Sequence, residues 1–134
     1  MQLSIPDMFS NAQAITGTEN AVTYSDVLDW GANGDDIDKE LRLFVHNSVA
    51  GAGAGSSLTI AFETSANNSA FTALKTYTAI AVASLTADTY LVNGDVLPAG
   101  LKRYNRLSFT VTGGTLTTVP KLTAGIQPND LPVH

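Results

Sequence analysis

The stretch LPAGLKRYNRLSFTV, residues 97–111, contains a turn, a basic cluster and a strand pattern in direct succession. Pro98 and Gly100 are typical turn residues. After the basic residues, apolar side chains occupy every second position, at Leu107, Phe109 and Val111. A period of two places such side chains on one face of a β-strand. The stretch therefore predicts a strand with one buried face that follows a positively charged turn.

The basic cluster stands out because the rest of the chain is acidic. Three of the seven basic residues lie within five positions, and every charged residue before Lys39 is Asp or Glu, for a net charge of −5. One interpretation is that the cluster is presented to a partner. The other is that it solubilises a sheet edge, where Lys and Arg discourage unwanted strand pairing. The clustered residues are Lys102, Arg103 and Arg106.

Composition indicates an all-β domain. The chain has 134 residues, which is the size of one domain with a substantial core. Charged residues make up 14%, against about 25% in an average soluble domain. Sixteen Thr and ten Ser take their place, and β-branched Thr suits a half-buried pleated surface. Without Cys the fold must depend on packing or assembly.

Alternating segments separated by turn residues recur along the chain. They lie at 22–30, at 41–64 as a long antiparallel pair, at 106–112 and near 116–126. Seven or eight short strands without a helix predict a small antiparallel β-sandwich of jelly-roll type. The predicted core residues are Leu41, Leu43, Val45, Leu58, Ile60, Phe62, Leu107, Phe109 and Val111.

The two ends are predicted to be extended arms around a sandwich domain at residues 16–126. Residues 1–15 have no periodicity, and prolines disfavour sheet in the tail at 127–134. The N-terminal arm carries apolar residues for which the pattern offers no core position. We expect them to dock on a neighbouring subunit or on another protein; they are Met8, Phe9 and Ile15. No signal peptide and no membrane span are recognisable.

Residues with catalytic or metal-binding potential are few. The acidic turn at 34–40 offers oxygen ligands at Asp35, Asp36, Asp38 and Glu40, but it lacks the order of a calcium loop and is expected to be a solvated turn. The Gly-rich run at 51–55 is expected to be a hairpin loop. With His46 and His134 as the two imidazoles, no catalytic triad or metal triad is expected. We therefore expect neither an enzyme nor a cofactor.

Composition and aromatic content bear on two classes of ligand, nucleic acid and carbohydrate. The acidic balance argues against nucleic acid, because binding there depends on neutralising phosphates. A carbohydrate platform is the alternative to a structural role, as in a β-sandwich module of a virion appendage. Such a platform needs aromatic side chains on one exposed face. The candidates are Trp30, Tyr77, Tyr90 and Tyr104.

Five segments in order resemble the capsid cement, or decoration, proteins of short-tailed bacteriophages. The opening MFSNAQAIT at 8–16 is similar to the start of those proteins. The other segments are LDWG with GDDI at 28–37, LTIAFETS at 58–65, the 97–111 block with KRYNRL, and LTAGI at 122–126. The likeness covers roughly residues 8–126, whereas 1–7 and 127–134 have no counterpart in the family pattern.

This resemblance implies a jelly-roll β-sandwich that binds the outer surface of an icosahedral phage capsid and cements neighbouring capsomers against internal DNA pressure. The implied partners are the major capsid protein and a second copy, as a homodimer or alternatively a homotrimer, with no nucleic acid and no membrane. The implied location is the outside of the virion, after assembly in the host cytoplasm. Because of their clustering, Lys102, Arg103 and Arg106 are expected to meet acidic capsid surface. The apolar residues of the N-terminal arm are expected to dock on a neighbouring subunit or on the capsid; they are Met8, Phe9 and Ile15. Tyr104 is expected either to anchor this loop or to pack in the core.

Overall fold

The computed structural model describes residues 8–29, 41–98 and 100–128, which form twelve β-strands and one short 3₁₀ turn at Val82–Ser84. Several strands have only two or three residues, as expected where turn residues interrupt the alternating pattern. In chain order the strands are β1 Met8–Ala14, β2 Val22–Tyr24, β3 Leu28–Asp29, β4 Leu41–Asn47, β5 Ala52–Gly53, β6 Ser57–Ser65, β7 Thr72–Thr76, β8 Ile80–Ala81, β9 Thr89–Val96, β10 Tyr104–Thr112, β11 Leu116–Thr118 and β12 Lys121–Pro128.

The strands form two main antiparallel sheets. Sheet A has four strands in the order β1-β12-β4-β9. Sheet B has six strands. β2, β10, β6 and β7 are neighbours in that spatial order, β3 also pairs with β10, and β8 also pairs with β6. A two-stranded pair of β11 and β5 lies apart from both. From β4 onward the long strands β4, β6, β9, β10 and β12 alternate between the two sheets. The fold is therefore all-β and antiparallel, which confirms the predicted β-sandwich class.

The inward faces of the two sheets form one apolar core. Sheet B contributes alternate residues of β6 and β10, and sheet A contributes those of β4 and β12. Phe9 of sheet A meets Phe62 of sheet B edge-on, with ring centroids 5.8 Å apart, a favoured aromatic geometry. Eight of the nine predicted core residues are fully buried, while the side chain of Leu41 lies outside the described part.

The predicted pairing of residues 41–64 with each other is wrong. β4 belongs to sheet A, between β12 and β9, whereas β6 belongs to sheet B, between β10 and β7. The intervening Gly-rich loop crosses from one sheet to the other, and its β5 pairs with β11. Alternation in the sequence reveals a strand but not the strand it pairs with. Two consecutive strands that lie in different sheets therefore have the same sequence pattern as a hairpin.

The N-terminal residues 8–15 are part of the sandwich, which corrects the expectation that their apolar side chains lack a core position. β1 pairs with β12, and Phe9 and Ile15 are buried. The pairing is irregular at two places, and Ala12 has a φ of 52°. Bulges of this kind disrupt the period of two, which explains why the segment has no visible strand pattern. Met8 begins β1, and its side chain, like residues 1–7 and 129–134, lies outside the described part.

Candidate functional site

Arg106 is held in a slot on the outer face of sheet B. Its guanidinium carbon lies 3.8 Å from the ring centroid of Tyr24 and 3.9 Å from that of Phe71. Its Nε donates a hydrogen bond to Glu63 Oε1 at 2.7 Å. Cation–π contacts and a carboxylate therefore act together to fix one arginine head group.

Strand register brings these groups together. Arg106 on β10 is directly opposite Glu63 on β6, and Tyr24 on β2 is opposite Ser108, the next outward-facing residue of β10. Side chains two positions apart along neighbouring strands are within reach of long and aromatic residues. The slot is thus built from three adjacent strands and from Phe71, which directly precedes β7.

Arg103 forms a second ion pair just before β10. Its Nε and Nη2 donate to Asp29 Oδ1 and Oδ2 at 2.6 and 2.9 Å, and its guanidinium carbon lies 5.0 Å from the Tyr104 ring. The pairing of Asp29 with Tyr104 across β3 and β10 positions that carboxylate. Hydrogen bonding to Asp29 raises the pKa of Arg103, whose charge is in any case permanent. Both partners are about half exposed, so solvent screens the pair.

A buried polar pair supports the turn that carries the basic residues. Thr64 Oγ1 donates to Asn105 Oδ1 at 2.8 Å, and both side chains are buried. Asn105 Nδ2 in turn donates to the carbonyl of Lys102 at 2.9 Å, and the amide of Lys102 donates to Thr64 Oγ1 at 2.7 Å. Because buried polar groups must be paired, these bonds specify one conformation of the turn.

We use the term arginine patch for this surface, which comprises Tyr24, Phe71, Lys102, Arg103, Tyr104 and Arg106. Within the described residues Lys102 is exposed and makes no ion pair, whereas the charges of Arg103 and Arg106 are balanced by carboxylates of the same chain. The interpretation of the cluster as edge solubilisation is wrong for Arg106, because β10 lies between β6 and β2. For Tyr104, no hydrogen bond of the hydroxyl is present in the described part of the chain.

The sequence did not indicate Tyr24 and Phe71 as members of the patch, nor Asp29 and Glu63 as the carboxylates that bind its arginines. Tyr24 is 48% exposed, whereas Leu28, which has the same phase in the alternation of the 22–30 segment, is buried, so the pattern did not reveal the outward position of Tyr24. The register that brings Glu63 and Asp29 to the two arginines depends on tertiary pairing of strands far apart in sequence. No local signal carries that information.

The aromatic residues proposed as a sugar platform do not share one face, as far as they are described. Tyr90 belongs to β9 of sheet A, where it is 53% exposed and packs edge-on against His46 and Phe44. Tyr104 belongs to sheet B, and Tyr77 packs against the core. Trp30 lies outside the described residues.

Two further features concern metals and membranes. The acidic turn at 34–40 lies outside the described residues, so its predicted solvated state stays a prediction. Among residues 8–29, 41–98 and 100–128, no three His, Asp or Glu side chains are grouped as a metal site would require. In the same part of the chain, no helix is long and apolar enough to cross a membrane.

Comparison with known proteins gives one informative match. The family model of Bbp16 matches residues 9–126, which includes almost all of the described sandwich and the whole arginine patch. No curated protein sequence matches the chain. The segments that resemble phage cement proteins lie in nearly the same range. Because the match spans most of the chain, this protein belongs to the Bbp16 family, a phage-related family.

Proposed function

We propose that this protein is a structural component of a phage virion that binds the outer surface of the icosahedral capsid and cements neighbouring capsomers. The observation that carries the proposal is the arginine patch on a β-sandwich of a phage-related family. Arg and Tyr are enriched at protein interfaces, and residues of this kind, held rigidly by packing, are those that dominate binding energy.

The geometry of the patch favours a protein partner. Arg106 is only 21% exposed and is fixed by Tyr24, Phe71 and Glu63, so little side-chain entropy is lost when a partner covers it. Arg106 Nε is bonded to Glu63, while the terminal guanidinium nitrogens remain as donors toward an approaching carbonyl or carboxylate. Exposed Lys102 adds an unbalanced positive charge, which fits an acidic region of the partner.

The rest of the outer face of sheet B also suits a packed interface. Between the two central strands β6 and β10, the outward positions beyond the Arg106–Glu63 pair carry small uncharged side chains. Ser57 and Thr112 bond to each other there at 3.1 Å. A flat surface with little charge has a small desolvation penalty on binding. The partly exposed residues concerned are Ser57, Thr59, Ala61, Thr110 and Thr112.

A cement role is physically consistent with modest single contacts. A ligand that binds the assembled shell but not its separated subunits stabilises the assembly by mass action. Symmetry repeats the contact many times over the shell, so avidity compensates for a weak individual site. A second copy of the chain, as a dimer or a trimer, would bridge two capsomers by presenting two or three such patches.

The test is co-sedimentation of the purified chain with expanded phage heads assembled without it, at low and high salt. We expect saturable binding at a fixed ratio to capsomers. The triple variant K102Q/R103Q/R106Q is expected to bind more weakly. Lys102→Gln and Lys121→Gln form a matched pair, because both lysines are exposed and only the first lies in the patch. We expect the first to reduce the salt dependence of binding and the second to leave it unchanged.

Three results would count against the proposal. Failure of the wild-type chain to bind heads would overturn the capsid function. Unchanged binding by the triple variant would remove the arginine patch from the contact. A glycan array run in parallel tests the carbohydrate alternative: binding at millimolar concentration or better, with no binding to heads, would favour a module of a virion appendage.

A further inference from the structure

The two lateral sides of the sandwich differ. On one side, β1 of sheet A and the β2 region of sheet B are joined by hydrogen bonds. Gln13 Nε2 donates to the Tyr24 carbonyl at 2.9 Å, Thr16 N to Thr23 Oγ1 at 2.7 Å, and Asp26 N to the Phe9 carbonyl at 2.9 Å. This side is closed, because the outer edges of β1 and β2 cover each other.

On the opposite side, β9 ends sheet A and β7 with β8 ends sheet B. Within the described residues no backbone hydrogen bond joins β9 to β7 or β8. Between these edges lie side chains that pack on the core yet stay partly accessible. This open side is therefore the part of the sandwich where apolar surface and strand edges are exposed together. Its apolar residues are Leu74, Tyr77, Ile80 and Leu91, with exposed Val96 at the end of β9.

The two open edges are protected to different extents. β7 carries exposed Lys75 at an interior position, and β8 has only two residues. A lysine on an edge strand and a very short edge strand are both devices that prevent pairing with another chain. β9 has eight residues and contains no Lys, Arg or Pro. Its only charge is Asp95, and Asp88 precedes it. Within the described residues, β9 is thus a long edge strand that carries no lysine, arginine or proline, and its pairing with β4 is irregular at two places.

A polar group on this side also has no partner. The hydroxyl of Tyr77 is buried, yet it makes no hydrogen bond among the described residues. Asp95 of β9 is close enough to influence it electrostatically. Buried hydroxyls are normally satisfied, so among the described residues the seam between β7 and β9 lacks a partner for this hydroxyl.

We propose that β9 is a docking edge to which an extended segment of the capsid shell protein, carrying basic side chains, adds as a fifth strand of sheet A. Strand addition supplies partners for the outward-facing backbone groups of β9. Basic side chains complement Asp88 and Asp95. A second copy of this chain is the less suitable occupant, because pairing two β9 edges brings acidic residues of both copies together. This inference rests on the proposed capsid function.

The test compares two lysine variants in binding to expanded heads that lack the protein. Asn93→Lys places a charged side chain that discourages strand pairing at an exposed position in the middle of β9. Thr76→Lys places the same charge at an exposed position of β7. We expect N93K to bind about tenfold more weakly or worse, because the lysine opposes both strand pairing and basic side chains. T76K is expected to bind like the wild type. Thermal unfolding of both variants confirms that they fold.

Hydrogen exchange gives a direct second measurement. In the presence of heads, the outward amides of Thr89–Val96 are expected to become protected, while those of Thr72–Thr76 do not. Unchanged binding by N93K, or unchanged exchange of β9 in the bound state, would overturn the β9 assignment and leave the capsid function intact. Protection of β9 in the free protein that disappears on dilution would identify a second copy as the occupant and also overturn it. Failure of the wild-type chain to bind heads would overturn both proposals.

Discussion

Arg106 and Glu63 face each other across the two central strands of sheet B, with 2.7 Å between Nε and Oε1 and with both side chains largely shielded from solvent. The ring centroids of Tyr24 and Phe71 lie 3.8 and 3.9 Å from the guanidinium carbon. This arrangement uses the planar shape of arginine, which lysine does not have. The pair therefore links the stability of the sheet to the proposed binding surface.

Arg106→Lys retains the charge but removes the stacking and the forked donors. We expect the free energy of unfolding to fall by about 1 kcal/mol, since cation–π contacts at partly exposed sites each contribute about 0.5–1 kcal/mol. Binding to heads should weaken about tenfold, because interface arginines are frequent hot spots. Urea unfolding and co-sedimentation measure the two effects.

The matched control is Lys121→Arg on β12 of sheet A, an exposed position that keeps its charge and lies outside the patch and off the β9 edge. It should alter head binding far less than R106K does. Equal effects of the two substitutions on binding would show that the slot around Arg106 has no special role in the contact.

The buried pair Thr64–Asn105 is expected to be strongly coupled. Thr64→Val or Asn105→Leu alone leaves a buried polar group without its partner, so each should lower the free energy of unfolding by about 1–3 kcal/mol. The double variant T64V/N105L should lose less than the sum of the two, because both polar groups are then absent. Urea denaturation of the four proteins completes the cycle. Additive losses would show that the 2.8 Å contact between the two side chains contributes nothing.

Two glycines with the same backbone conformation should differ in their tolerance of alanine. Gly94 and Gly113 both have a φ of 80°, a region unfavourable for residues with a Cβ. A Cβ on Gly113 would lie 2.5 Å from the Gly55 carbonyl oxygen, whereas one on Gly94 would lie 3.5 Å from the Phe44 ring. Both alanine variants should lose about 1 kcal/mol through the positive φ, and G113A should lose clearly more. Equal melting temperatures of the two variants would contradict the steric argument.

Stability at high pH should depend on Tyr77. Burial, followed by the influence of Asp95, raises the pKa of Tyr77 to about 12 from 10.0. The folded protein therefore holds this proton more tightly than the unfolded chain. The contribution of this group to stability is complete below pH 10 and is lost as the pH rises through 12.

Tyr77→Phe removes the titrating group and the unpaired hydroxyl together. Near neutral pH the variant should be as stable as the wild type or slightly more stable, since no hydrogen bond is lost. Between pH 10 and 12 the wild type should lose more stability than Y77F. Urea midpoints at several pH values measure the difference, and parallel curves for the two proteins would contradict the raised pKa.

Local alternation was sufficient to predict the core residues of the most regular strands. In β6 and β10 the apolar residues recur with a period of two, and Leu58, Ile60, Phe62, Leu107, Phe109 and Val111 are all fully buried. Alternation does not predict the N-terminal strand β1, because bulges break its period of two, although Phe9 is as deeply buried as Phe62. Periodicity reports the local geometry of a strand, so an irregular strand is invisible to it.

The sequence by itself determined the all-β class, the core faces of the regular strands and the concentration of basic residues at 102–106, because these depend on side-chain type and short-range spacing. Three features depend on tertiary structure: β4 and β6 lie in different sheets, Asp29 and Glu63 balance two of the three basic residues, and β9 ends sheet A among the described residues. Strand order and register join residues far apart in the chain, and they follow from burial of the whole core rather than from any local pattern.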